Sequence, residues 1–334
     1  MPEGFTATLI AVLGLAVLFD NINGFHDTAN AIATSVSTRA LSPRVAIAMS
    51  ATANFAGALT GTAVAKTIGA GLIVPQAEGG LVVAAALMGA IVWNLLTWRL
   101  GIPSSSSHAL IGGLLGASAA AIGFSAWQVG GILGKVILPL VGSPIVGFAG
   151  GFALMVVIFN LFRRAHPKTM NDRFRRLQVL SAAFMAFSHG SNDAQKTMGV
   201  MTLALVSAGI IPEFKVPLWV IVLAAGAISF GTAAGGWRII RTMGSKVVKL
   251  DPVHGFAAET TAASIIFGAS TLGMPVSTTH VISSAILGVG SSDRFRAVHW
   301  GVARRIGIAW VLTLPASGLV AALAYVLLHP ILGG

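Results

Sequence analysis

Charged residues are scarce in this sequence, and cysteine is absent. Only 9% of the 334 residues are Asp, Glu, Lys or Arg, whereas 55% are hydrophobic. Soluble domains carry about 25% charged residues, so this chain has too little polar surface to face water on all sides. The lack of cysteine excludes disulfides, thiolate metal centres and cysteine nucleophiles. These absences indicate a protein of the lipid bilayer.

Long apolar runs occur instead, for example at residues 81–98, 218–236 and 306–328. Each approaches the ~20 residues that a helix needs to cross ~30 Å of hydrocarbon. The alternating segments of about ten residues that build a closed membrane barrel do not appear. The sequence therefore predicts an all-α polytopic membrane protein.

The formal net charge of +11 comes mainly from basic residues in short connections between apolar runs. This distribution argues against a nucleic-acid partner, which would need a basic face. The positive-inside rule assigns the basic connections to the cytoplasm, so both termini are predicted to lie outside. The first apolar stretch lacks a basic segment before it and is predicted to be the first helix, not a cleaved signal. The basic clusters are Arg39 with Arg44, and residues 163–176, 238–249 and 294–305.

Two motifs occur twice, in the same order and at nearly the same offset, which indicates an internal duplication. Gly-Phe-His-Asp-Thr-Ala-Asn at residues 24–30 matches Gly-Ser-Asn-Asp-Ala-Gln-Lys at 190–196. Gly-Ile-Pro-Ser-Ser-Ser-Ser-His at 101–108 matches Gly-Met-Pro-Val-Ser-Thr-Thr-His at 273–280. About five crossings per half would invert the second copy, a pattern typical of secondary transporters.

The predicted architecture is thus two inverted-topology repeats, with broken helices at the aspartate motifs and Ser/Thr-rich half-helices or re-entrant segments. The crossings in the first half are predicted at roughly residues 5–38, 44–66, 81–99, 106–123 and 144–162. The predicted units are a first repeat at 1–162, a basic cytoplasmic linker at 163–176 and a second repeat at 177–334.

Asp27 and Asp193 lie inside apolar segments, where an ionised carboxylate costs ~2.5 to 3.5 kcal/mol. A structural role as a helix cap is the alternative, but occurrence in both halves favours function. Three further polar residues are predicted to join them in cation coupling, although each could instead form a hydrogen bond between helices. They are Asn30, Asn192 and Glu259.

The hydroxyl-rich motifs are predicted to begin helices, because proline suits a first turn and Ser or Thr caps free amides. A helix start with hydroxyl groups can hold an anion such as phosphate, although ordinary capping would also explain one copy. The predicted anion-binding residues are Ser104, Ser105, Ser106, Ser107, Ser277, Thr278 and Thr279.

His108 and His280 directly follow the hydroxyl groups, and we interpret them as packing or hydrogen-bonding residues. Ser, His and Asp together could form a hydrolase, but a hydrolase would not require each of them twice, and no Gly-x-Ser-x-Gly motif is present. The histidines, including His26 and His189, also lack the His-x-x-x-His spacing of a helical zinc site. The sequence predicts no enzyme, no bound metal centre and no resident cofactor.

The motifs resemble those of the inorganic phosphate transporter family, particularly its bacterial Pit branch. The resemblance spans nearly the whole chain: residues 22–30, 93–94, 103–108, 143–144, 187–196 and 273–280. It implies a phosphate symporter of the bacterial inner membrane, working by alternating access, with the aspartate motifs and hydroxyl turns forming the phosphate and cation sites. An anion channel is the rival of another class. A homodimer is left open.

Two residues depart from the sodium-coupled branch, whose two motifs resemble Gly-Ala-Asn-Asp-Val-Ala-Asn. His26 replaces the first asparagine, and Lys196 stands where a sodium ligand is expected. Histidine changes charge near neutral pH, so His26 is predicted to carry a co-transported proton. Lys196 is predicted to contact Asp193 or phosphate. Sodium coupling and transport of a neutral metal-phosphate complex stay open as alternatives.

Overall fold

A computed structural model describes residues 7–74 and 79–332 of the chain. Within these residues the secondary structure is helical, apart from an isolated bridge between Ile73 and Trp127. The predicted all-α class is confirmed. The first half contains α1 (Ala7–Ser37), α2 (Pro43–Ala58), α3 (Ala63–Ala70), α4 (Gly80–Leu100), α5 (Ser106–Ile122), α6 (Val129–Ile132) and α7 (Leu138–Leu161). The second contains α8 (Pro167–Ser207), α9 (Leu218–Ala234), α10 (Trp237–Arg241), α11 (Pro252–Thr271), α12 (Thr278–Asp293) and α13 (Trp300–Leu332).

The order of elements repeats between the halves, as expected for a duplication. A long helix begins each half, and a helix followed by a left-handed glycine, Gly101 or Gly273, precedes the hydroxyl-rich turn. Packing is reciprocal: α1 contacts α9 while α8 contacts α2, and α5 contacts α13 while α12 contacts α7. Such an exchange of partners is what a two-fold relation between the halves would produce. The inverted orientation and the boundaries at residues 162 and 177 stay predictions.

Several helices are long and apolar enough to cross a membrane. Among the described residues these are Ala7–Ser37, Gly80–Leu100, Val129–Leu161 and Trp300–Ile331. Leu218–Ala234 and Trp237–Lys246 would form a fifth span, bent by 61° at the break between them. Large apolar side chains such as Leu138, Val311 and Leu327 are exposed on the outer surface, which suits contact with lipid tails. The number of crossings per half stays a prediction.

The expected breaks at the aspartate motifs are wrong, because α1 and α8 continue through them. A continuous helix pairs its own backbone groups, which the apolar surroundings demand. The glycines of the motifs serve close packing instead. A Cβ on Gly24 would lie 2.2 Å from the carbonyl oxygen of Ile228, and one on Gly190 would lie 2.1 Å from that of Asn54.

The predicted basic linker is largely helical, because α8 already begins at Pro167. The two hydroxyl motifs begin helices, as predicted, with α5 starting at Ser106 and α12 at Thr278. Their prolines, Pro103 and Pro275, precede the first turn instead of occupying it. The chain thereby runs extended into each helix start.

Candidate functional site

The two aspartates meet in the interior, although they come from different halves. Asp27 lies on α1 and Asp193 on α8, and both side chains are buried. Each places a carboxylate oxygen within 4.8 Å of the other and of a ring nitrogen of His189. Two carboxylates this close in an apolar interior repel each other unless positive charge lies between or beside them. Positive charge beside the two carboxylates would therefore stabilise this arrangement.

Each aspartate has a histidine partner on its own helix. Nδ1 of His26 is 2.6 Å from Oδ1 of Asp27. Nε2 of His189 is 3.3 Å from Oδ2 of Asp193, and Nδ1 of His189 is 3.0 Å from Oδ1 of Asn54. His189 was missed as a site residue. It stands one helical turn before Asp193, on the same helix face, and this spacing was the available signal.

His26 is also linked to the first hydroxyl turn. Its Nε2 lies 3.1 Å from the hydroxyl oxygen of Thr97 and 3.4 Å from that of Ser104. Ser104 in turn donates to Thr97 at 2.9 Å. The imidazole thus bridges a carboxylate and a pair of hydroxyl groups, an arrangement through which a proton can pass.

Both hydroxyl turns are capped helix starts. The side chain of Ser105 accepts from the backbone N–H of His108 at 3.2 Å, and Ser277 accepts from that of His280 at 3.2 Å. The cap leaves other first-turn amides without an intrahelical acceptor, so each start can also hold an anion. Ser106 is buried, and its hydroxyl has no hydrogen-bond partner within the described residues.

Hydrogen bonds cross reciprocally between the halves. Nδ2 of Asn30, on α1, donates to the hydroxyl oxygens of Thr279 at 2.9 Å and Thr278 at 3.3 Å, at the start of α12. Lys196, on α8, donates to the hydroxyl of Ser107, at the start of α5. In the two copies of the motifs Asn30 corresponds to Lys196, and Thr279 to Ser107. Each aspartate helix therefore binds the hydroxyl turn of the other half.

Lys196 also forms an ion pair with Asp193, and its ammonium donates to the carbonyl oxygen of Val276 at 3.1 Å. The hydroxyl of Thr278 donates to Oδ2 of Asp193 at 3.3 Å. The ammonium is held by a carboxylate, a hydroxyl and a backbone carbonyl.

Two other predicted site residues, Asn192 and Glu259, form hydrogen bonds with groups other than the two aspartates. Asn192 donates to Ser270, on α11, at 2.9 Å and to the carbonyl oxygen of Met274, within the second hydroxyl-rich motif, at 3.2 Å. Glu259, also on α11, is buried in a second polar cluster. Its carboxylate accepts from Thr34 at 2.5 Å, Ser181 at 2.5 Å and Gln178 at 3.1 Å. No local pattern pointed to these three donors, because they come from helices that fold back onto α11.

His108 and His280 contact each other across the halves, with ring centroids 4.9 Å apart. His280 also stacks on Trp310 at 4.1 Å. Both rings are buried, in agreement with a packing role. Among the residues that the structure describes, Asp27, His189 and Asp193 form a group that could hold a metal ion.

Comparisons with known proteins agree with these features. The model of the "Phosphate transporter family" matches residues 23–321. A Bacillus subtilis protein named "Probable low-affinity inorganic phosphate transporter" is 50% identical over 96% of this chain and 97% of its own length. A Rhizobium meliloti protein of the same name is 50% identical over 95% of each chain. A solved structure named "The sodium-dependent phosphate transporter" is similar with a TM-score of 0.90 and 26% identity, covering 98% of this chain and 100% of that one.

Proposed function

Because this chain belongs to the phosphate transporter family, we propose that it is a proton-coupled phosphate symporter that works by alternating access. As a member of that family it is a multi-pass membrane transporter, not an enzyme. Symport is supported best by the close approach of the buried carboxylates of Asp27 and Asp193 beside the two hydroxyl turns. An anion channel would gain nothing from paired carboxylates beside its path.

Phosphate would be held where the two hydroxyl turns converge. Ser106, Ser107, Thr278 and Thr279 would donate hydroxyl hydrogens to phosphate oxygens, and free amides at the starts of α5 and α12 would add further donors. Lys196 adds the positive charge beside these groups. Together they would replace the water that phosphate loses on entering the interior.

Cations are needed because phosphate carries one or two negative charges and would enter a centre with two carboxylates. We assign the transported proton to His26, whose Nδ1 lies 2.6 Å from Oδ1 of Asp27. All the residues of the centre are buried, so phosphate can reach them only after the two halves move relative to each other. That movement is the alternating-access step.

Sodium coupling is the second candidate, favoured by the similarity to a solved sodium-dependent phosphate transporter. A divalent metal entering with phosphate is a third, favoured by the cluster of Asp27, His189 and Asp193. Purified protein in liposomes with choline as the bulk cation separates them. Proton coupling predicts accumulation of labelled phosphate when the outside is acidic, with no added sodium. Uptake that ignores the pH gradient and needs external sodium, or a divalent ion, would refute it.

The role of Asp27 is tested by Asp27→Asn, which keeps the side-chain shape but removes its charge. We expect loss of concentrative uptake with normal membrane insertion. Asp172→Asn is the matched control, because Asp172 is an exposed carboxylate on α8 with a distant partner, Arg175, at 3.9 Å. Normal accumulation by Asp27→Asn would exclude a coupling role for this carboxylate.

A further inference from the structure

Lys196 is unusual because its charged side chain is enclosed almost completely. It is 1% exposed, whereas lysine is almost never fully buried unless it is paired. Its ammonium contacts one carboxylate oxygen of Asp193, the hydroxyl of Ser107 and the carbonyl oxygen of Val276. Carboxylate, hydroxyl and backbone carbonyl oxygens are the ligands that hard metal cations take in proteins. The ammonium therefore occupies an oxygen-lined cation site.

The corresponding place in the first half carries no charge. Asn30 contacts Thr279 there, just as Lys196 contacts Ser107. Both residues stand three positions after an aspartate, and each contacts the hydroxyl turn of the opposite half. The contact between an aspartate helix and the opposite hydroxyl turn therefore forms with either a neutral or a charged donor, so its geometry does not require the positive charge of Lys196.

We propose that the Lys196 ammonium is a tethered cation that fills a monovalent-cation site, and that removal of the side chain opens this site to a free ion such as Na⁺. With the ammonium in place, the two aspartates and the lysine have a formal charge of −1 in place of −2. The chain would then need one mobile cation fewer to accept phosphate. The inference rests on the proposed symport and specifies how one of its charges is supplied.

Binding of ²²Na⁺ to purified protein in detergent tests the idea, with choline as the competing salt. Lys196→Asn should bind one more ²²Na⁺ per chain than the wild-type protein, because the asparagine is shorter, carries no charge and has a side-chain carbonyl oxygen. Sodium chloride should raise the Tm of this variant relative to choline chloride. The double variant Asp193→Asn with Lys196→Asn should lose the extra equivalent, because it lacks the carboxylate.

Lys66→Asn is the matched control, because it removes an exposed lysine from α3 and changes the net charge equally. It should bind the same amount of ²²Na⁺ as the wild type. Equal binding by Lys196→Asn and the wild type would overturn the proposal.

Instability of the variant is also informative, because an empty site would leave Asp193 buried and without its counterion. Lys196→Ala should then recover a single well-behaved species in sodium or methylammonium chloride but not in choline chloride. Failure in all three salts would refute the tethered-cation role. Failure of the wild-type protein to take up phosphate would refute the proposed function and leave these binding results interpretable.

Discussion

Glu259 offers a test of how the second polar cluster supports the fold. Its carboxylate is fully buried and accepts hydrogen bonds from Thr34 on α1 and from Gln178 and Ser181 on α8. The cluster therefore fastens α11 to the first helices of both halves. Two substitutions separate the charge from the hydrogen bonds: Glu259→Gln keeps a polar group of the same shape, and Glu259→Leu removes the acceptor.

The structure sets the size of each effect. With leucine, Thr34 and Gln178 lose their acceptor, while Ser181 keeps the carbonyl oxygen of Gln178 at 3.2 Å. Because an unsatisfied buried donor costs ~1 to 3 kcal/mol, Glu259→Leu should lose about 3 kcal/mol of stability. In Glu259→Gln, an NH₂ group replaces the carboxylate oxygen that accepts from Ser181, and the Ser181 hydroxyl can donate to the carbonyl oxygen of Gln178 instead. The free energy of unfolding should then fall by only about 1 kcal/mol. These losses correspond to decreases in Tm of roughly 6 °C for Glu259→Leu and roughly 2 °C for Glu259→Gln.

Thermal unfolding in detergent and phosphate uptake in liposomes form the two measurements. Glu213→Gln is the control, because Glu213 is exposed in the connection between α8 and α9. Equal losses for the leucine and glutamine variants would refute the hydrogen-bond reasoning. If Glu259 takes part in cation coupling, Glu259→Gln should remain folded but lose concentrative uptake. Normal uptake by Glu259→Gln with unchanged cation dependence would show that Glu259 only stabilises the packing of the helices.

Two further predictions concern the hydroxyl turn and the helix contact. Ser105→Ala should lower the free energy of unfolding by about 1 kcal/mol, because the helix loses its cap. Ser106→Ala should leave the Tm unchanged, since its hydroxyl has no protein partner among the described residues, and should weaken phosphate binding measured by calorimetry. A reversed pattern would contradict the assignment. Gly190→Ala should force α8 away from α2 and lower the free energy of unfolding by ~1 to 3 kcal/mol. Gly14→Ala is the control and should be neutral or stabilising, because a Cβ there meets nothing within 4 Å in the described part of the chain. Similar melting curves for both variants would argue against close packing at Gly190.

The hydroxyl turns were predictable because their signals are local. Ser105 and Ser277 cap helices within three residues of their own positions, so the motif alone specifies the geometry. The meeting of Asp27 and Asp193 could be anticipated only as a consequence of the duplication. That Asp27 comes within 4.8 Å of both His189 and Asp193 depends on how α1 packs against α8, and no local sequence pattern determines this packing.

The mistaken breaks at the aspartate motifs have a physical lesson. The hydrogen-bond partners of Asp27 and Asn30 are side chains, and no unwound backbone is involved. Asn30 finds its partner Thr279 at the start of α12, far along the chain. Gly24 and Gly190 of these motifs let α1 pack on α9 and α8 pack on α2.

The reciprocal bonds suggest why transport and duplication belong together. The contact of Asn30 with Thr279 and that of Lys196 with Ser107 each join an aspartate helix to the opposite half. In the proposed alternating-access step, movement of one half against the other would loosen at least one of these contacts, while the equivalent contact could hold. The two contacts differ in charge, because only the second includes an ammonium paired with a carboxylate. Both partners of that ion pair lie on α8, so the contact that opens between the halves is the hydrogen bond from the Lys196 ammonium to Ser107. Since a hydrogen bond from a charged donor is stronger than a neutral one, we expect the Asn30 contact to open more readily in the protein without phosphate.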